Sequence, residues 1–214
     1  MKKLALMLCL MVMALPASAQ EKAEKPAKKR EPGLYATLDT TMGKIVIKLY
    51  DKEAPKTVAN FVDLATGKKQ WRDSKTGQAV IGKPLFDGVI FHRVMEGFMS
   101  QSGGQLPDGS SRVSAEILDE FGPGLKFDRP GRVAMANRGP NTGSSQFFIT
   151  HAPVPRLDGG YPIFGQVVEG QTVVTDMAKV ELLLNERGER AVPAKPILIN
   201  KVTLERVPSG SETK

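Results

Sequence analysis

No apolar run in the body of this chain travels far before a turn residue interrupts it. Beyond residue 87 the β-like runs cover residues 88–94, 132–136, 146–150, 161–168 and 196–206, separated by Gly, Pro, Asn and Asp. Short strands at close spacing, in a chain with 21 Gly and 15 Pro, argue for an all-β barrel or sandwich. Two further runs open the domain, residues 35–41 and 44–50. In the second, Ile45, Ile47 and Leu49 alternate with Val46 and Lys48, and the break at Met42-Gly43 predicts a hairpin. A helix follows: Pro55 suits its first position, Val58, Phe61, Val62 and Ala65 recur at i, i+3, i+4 and i+7, and Gly67 is a stop. A second helix fits residues 171–180, with Val173, Val174 and Met177 facing inward. Residues 68–84 read as a polar surface excursion carrying the single tryptophan, Trp71, which either packs the loop down or binds a ligand.

The ends differ from the body. Residues 1–19 have the layout of a secretory signal peptide: Lys2-Lys3, an apolar run from Leu4 to Leu15, then Ala17-Ser18-Ala19 before a cleavage expected at Gln20. That run is too short to span a bilayer, and no other apolar stretch reaches the roughly 20 residues needed. Removing 19 residues from 214 leaves 195, and losing two lysines lowers the formal charge from +7 to +5. So mild a balance does not suggest a nucleic-acid surface. Residues 20–32 read as a flexible charged linker, 33–207 as one domain, and 208–214 as a disordered tail. The one cysteine, Cys9, lies in the leader, so the mature chain has no thiol chemistry, disulfide framework or Cys-based zinc site. With two histidines, His92 and His151, and no HExxH, neither a metal site nor a cofactor is expected.

Three segments carry apolar residues where turns are normally polar: FHRVMEGFMSQSGG at 91–104, MANRGPNTGSSQFFI at 135–149 and RLDGGYPIFGQV at 156–167. In order and spacing they resemble the cyclophilins, the cyclosporin-type family of peptidyl-prolyl cis-trans isomerases, and the resemblance runs from about Tyr35 to Arg206. It implies a mainly β fold, a closed eight-stranded antiparallel barrel capped by two α-helices. It also implies isomerisation of X–Pro bonds in proline-containing polypeptides, without cofactor or metal.

That chemistry needs no nucleophile. Peptide rotation is blocked by N–C resonance, with a barrier of roughly 18–20 kcal/mol. What it requires is an apolar pocket for the proline ring and a donor that favours a pyramidal prolyl nitrogen. Arg93 is the donor to choose, being always charged and forked; the plain alternative is a surface salt bridge. By the resemblance, Gln101 holds this arginine, and Phe98, Met99, Phe148 and Leu157 wall the proline pocket. Ala136 and Asn137 match the strand that pairs with substrate backbone, Gln146 a polar contact to the bound peptide, and Tyr161 a position that often carries histidine. His92 is read as structural, since isomerisation moves no proton.

The chain also departs from the pattern. Arg156 stands where many eukaryotic members have tryptophan, so weak cyclosporin binding is expected. Ser102 replaces a usual glycine, Gly104 an acid, and Arg138 a frequent alanine. The expected protein is a monomeric exported isomerase in a Gram-negative periplasm, assisting the folding of exported proteins; an ER-lumen or secreted protein would carry a similar leader. The competing class is a proline-peptide binding module or chaperone, which would need only the apolar walls. A scaffold acting through the basic linker is a third reading, tested by deleting residues 20–32.

Overall fold

The computed structural model describes residues 30–209; the leader, its cleavage point, most of the charged linker and the end of the tail lie outside the described residues. Its elements, in chain order, begin with β1 (Gly33–Thr40), β2 (Gly43–Leu49) and α1 (Pro55–Thr66). Next come β3 (Trp71–Asp73), β4 (Ala79–Val80), β5 (Arg93–Met95), β6 (Met99–Ser102), β7 (Arg112–Ser114), β8 (Arg132–Met135) and β9 (Phe147–Thr150). The chain continues through β10 (Ile163–Glu169), α2 (Gln171–Asp176), β11 (Leu182–Leu184), β12 (Arg190–Pro193) and β13 (Ile199–Val207).

Eight strands form one antiparallel sheet in the order β13-β1-β2-β10-β8-β9-β6-β5. The β1–β2 hairpin falls where the alternation placed it, with Leu38 opposite Ile45 and Ala36 opposite Ile47. The expectation of a closed barrel is corrected: β5 and β13 form no ladder, and the sheet is an open half-barrel. Its edges are tied near the starts of β5 and β13, through an isolated Ile90–Leu198 bridge and bonds such as Phe91 N–H to Ile197 C=O at 2.9 Å and Ile199 N–H to Val89 C=O at 2.8 Å.

Successive side chains of the strands point to opposite faces of the sheet, and over β8, β9 and β10 both faces carry apolar packing. Phe147 and Ile149 on β9, Val133 and Met135 on β8, and Phe164 on β10 point to the inner core. There α1 packs Val58, Phe61, Leu64 and Ala65, and Val174 of α2 joins Met177 of the 3-10 turn that follows it. The intervening residues Phe148, Ala134 and Ile163, with Met99 of β6, form a second apolar cluster with Phe127 and Val154. One face builds the core, and the other builds a wall that the inner packing does not consume.

Helix α1 begins at Pro55 and ends where Gly67 turns left-handed at φ +75°, as its stop signal required. The second helix is shorter than the reading of 171–180, because Met177–Lys179 tighten into the 3-10 turn. The excursion at 68–84 is ordered: β3 and β4 pair, and β7 joins them in a three-stranded sheet. Trp71 is 6 % exposed within the main core and donates from Nε1 to the Lys83 carbonyl at 2.9 Å, so it packs the segment down.

Candidate active site

The ten residues singled out from the sequence line one groove of about 970 Å³, although they come from three separate stretches of chain. Met99 and Phe148 are nearly buried, on adjacent strands of the outer cluster. Phe98 sits in the tight β5–β6 turn, where its N–H donates to Met95 C=O and its carbonyl accepts from His151 N–H. Leu157 ends a 3-10 turn started by Pro155, and Asp158 beside it accepts from Phe127 N–H at 2.8 Å. Phe127 stacks on Phe148 at 5.9 Å, and Tyr161 meets the same ring edge-on at 5.5 Å. These contacts fix an apolar pocket from both sides.

The polar side of the groove is held as firmly. Ala136 N–H donates to Gln146 C=O at 2.9 Å, and Asn137 Nδ2 donates to Gly160 C=O at 2.8 Å. Asn60 on α1 donates to Ser144 C=O at 2.7 Å, fastening the segment that leads to Gln146. Gly103 (φ +106°) lets two backbones approach so closely that a Cβ would collide with the Ser145 carbonyl.

Arg93 and Gln101 are directly opposite each other in the β5–β6 pair, yet the expected grip of Gln101 on Arg93 is not what the side chains make. Gln101 Nε2 donates to Gln146 Oε1 at 2.8 Å. Arg93 instead donates from Nε and Nη2 to the two oxygens of Glu189, at 3.0 and 2.9 Å. The ion pair holds the Glu189 carboxyl down at about 2, chiefly through the Arg93 hydrogen bonds and then through Asn185. A charged fork outcompetes an amide because charge-assisted bonds are roughly twice as strong. Glu189 has no counterpart in the sequence reading; its only mark is a polar Asn185–Glu189 turn ahead of Arg190.

His92 is half-buried and its pKa falls to about 4, through lost hydration and then the neighbouring Arg93 charge. It is neutral near pH 7. His151 is lowered to about 4 by burial, with Nε2 2.9 Å from Ser100 Oγ. At the mouth of the pocket the Arg156 guanidinium lies over the Phe98 ring, 4.6 Å from its centre. Across the groove Arg112, which the sequence did not single out, covers Trp71 at 5.0 Å and donates to the Leu85 and Asp87 carbonyls. No helix among the described residues is long and apolar enough to cross a membrane.

The family model for cyclophilin type peptidyl-prolyl cis-trans isomerases matches residues 35–204. Peptidyl-prolyl cis-trans isomerase B of Streptomyces anulatus is 44 % identical over 174 residues, covering 80 % of this chain and 97 % of the relative. Peptidyl-prolyl cis-trans isomerase A of Mycobacterium tuberculosis is 43 % identical over 171 residues, covering 79 % and 91 %. Among solved structures, a Cryptosporidium parvum cyclophilin type isomerase superposes with a TM-score of 0.61 at 28 % identity, over 81 % of this chain and 98 % of its own. A second structure of that protein, obtained in the presence of the dipeptide Ala-Pro, gives 0.60 at 27 % identity, over 81 % and 99 %. Sequence relatives, fold and groove agree, and the chain belongs to the cyclophilin-type peptidyl-prolyl cis-trans isomerases.

Proposed function

We propose that this isomerase acts on X–Pro bonds of exported proteins, and that it lowers the rotational barrier by non-covalent stabilisation from Arg93. An uncatalysed X–Pro bond exchanges in about 10–100 s, so a turnover of order 10³ s⁻¹ needs an acceleration near 10⁵, about 7 kcal/mol. The observation that carries the reading is the juxtaposition in one groove of a guanidinium with an apolar pocket of Phe98, Met99, Phe148 and Leu157. The pocket takes the proline ring and strips water from it. The arginine donates to the prolyl carbonyl and nitrogen region as conjugation is lost. Ala136 has committed its N–H internally, so alignment of the substrate backbone falls to its carbonyl and to Asn137. Gln146, braced by Gln101, offers a further polar contact, and Tyr161 closes the pocket. The Cryptosporidium relative obtained with Ala-Pro supports a proline-containing peptide as the ligand class.

The leader motif supports a periplasmic location in a Gram-negative cell, with the mature protein acting as a monomer on its clients. NMR exchange on a short X–Pro peptide tests the mechanism. The mature protein accelerates exchange, and Arg93→Ala loses at least tenfold, about 1.4 kcal/mol. A folded wild type that binds the peptide yet leaves exchange at its uncatalysed rate would make the chain a binding module instead.

A further inference from the structure

The β11–β12 hairpin helps to line the groove, and its turn is built around one asparagine. Asn185 Oδ1 accepts from the N–H groups of Arg187 and Glu189, both at 2.9 Å, and Gly188 supplies the left-handed residue at φ +74°. Its Nδ2 then donates to Glu189 Oε2 at 2.8 Å. The same oxygen accepts from Arg93 Nε, and Oε1 accepts from Arg93 Nη2, so both carboxylate oxygens are engaged. Strand β12 packs beside β5, which brings this carboxylate to Arg93 across 96 residues of sequence.

The pair sits where the chemistry is: Arg93, Asn185 and Glu189 all line the groove. With side chains 26 % and 30 % exposed, solvent reaches both partners, and an ion pair so placed adds little to fold stability. Its effect is geometric. A free arginine must give up large rotamer entropy to present its fork, and fixing it beforehand moves that loss out of the reaction. A guanidinium has five N–H donors, of which Glu189 takes two on one edge; three remain for a peptide.

We propose that Glu189, gripped by Asn185, is a positioning residue for the isomerase reaction, holding Arg93 by its Nε–Nη2 edge so that its other donors meet the prolyl peptide. The proposal rests on the reading of Arg93 as the transition-state donor. It makes the hairpin part of the machinery and gives Glu189 the role that the strand register would have assigned to Gln101.

A double-mutant cycle on the mature protein tests it, with NMR exchange of an X–Pro peptide as the rate assay. Glu189→Gln is expected to lower kcat three- to tenfold while KM stays within twofold and the melting temperature holds. Asn185→Ala should give a smaller loss of the same kind. In an Arg93→Ala background, Glu189→Gln should change nothing further, because its effect passes through the arginine. The Arg93 Nε–H resonance, slow to exchange in the wild type, should broaden or vanish in Glu189→Gln. An equal loss from Glu189→Gln in both backgrounds would reveal a merely structural role and overturn the proposal, as would a faster enzyme, which would make the carboxylate a competitor for Arg93. If Arg93→Ala keeps full activity, the donor reading itself fails; if it loses activity while Glu189→Gln does not, only the positioning role fails.

Discussion

Replacing Phe61 with alanine should cost this domain a large share of its stability without touching its chemistry. Phe61 is 1 % exposed and is the largest of the side chains that α1 buries in the core. Its ring lies 4.9 Å from Phe86, 5.3 Å from Phe164 and 5.6 Å from Phe147, so three aromatic neighbours, two from strands β10 and β9 and one from a loop, surround it. A buried Phe→Ala change costs about 3–5 kcal/mol, and each ring pair is worth roughly 0.5–1.5 kcal/mol within that total. Phe147 and Phe164, held in their strands, and Phe86, fully buried, leave little room to collapse into the void, so the upper half of the range, about 4–5 kcal/mol, is expected. For a domain of this size that lowers the melting temperature by about 10–15 °C. Urea unfolding followed through Trp71, the one tryptophan and 6 % exposed, measures the loss directly. Phe61 does not line the groove, so KM for an X–Pro peptide at low temperature should stay put. A loss under about 1.5 kcal/mol, the size of an ordinary substitution, would refute the claim that this ring locks helix to sheet. So would a Phe61→Leu variant as unstable as the alanine one.

Two further outcomes follow from the groove and its histidines. His92 has a folded pKa of about 4 against 6.5, so the unfolded chain takes up the proton first as pH falls. Its contribution is complete above pH 6.5 and is lost toward pH 4, on the order of 3 kcal/mol in all, with His151 acting in the same direction. Asp108 and Glu189, held at about 2 in the folded chain, cost stability only as pH nears the 3.8 and 4.5 at which the unfolded chain protonates them, so urea midpoints at pH 7 and pH 5.5 report the histidines; equal midpoints would contradict the burial argument. Arg156→Trp replaces a cation over Phe98, worth roughly 0.5–1 kcal/mol at an exposed site, with the flat ring of the family pattern. It should strengthen cyclosporin binding at least tenfold by calorimetric titration, and an unchanged affinity would refute the role given to Arg156.

What the residues announced in advance was whatever local rules decide. The β1–β2 hairpin follows from alternation about Ile45, Ile47 and Leu49, and the ends of α1 from Pro55 and Gly67. The groove was legible because its residues fall in three contiguous motifs, and the outer cluster is one phase of strands whose alternate phase is core. The rest depended on partners far along the chain. Trp71-Arg72-Asp73 has no strand alternation to read and becomes β3 by pairing with β4 on one side and, some 40 residues later, with β7 on the other. Closure of the barrel turned on whether residues 88–91 and 197–199 would form a ladder, and they make a single bridge. The partner of Arg93 could not be read from its register neighbour, because a carboxylate arriving from Glu189 outbids the Gln101 amide.

The two halves of the groove set a limit on what either can do alone. In the proposed mechanism about 7 kcal/mol must be removed from the barrier. A single preorganised donor to a developing charge supplies about 2.7–4 kcal/mol when measured by its removal. Arg93 therefore accounts for about half, and the pocket must provide the remainder by holding the ring and excluding water. The nearly complete burial of Met99 and Phe148, at 2 % and 4 %, suits that share. It follows that Arg93→Ala should lose no more than about 10³ in rate and keep a measurable residue of catalysis. Total loss would mean that the substitution had disturbed the β5–β6 pair beneath the pocket, which the melting curve of the same variant would reveal. Residual activity that then vanishes in Arg93→Ala/Phe148→Ala, with the fold intact, would assign the second half to the pocket.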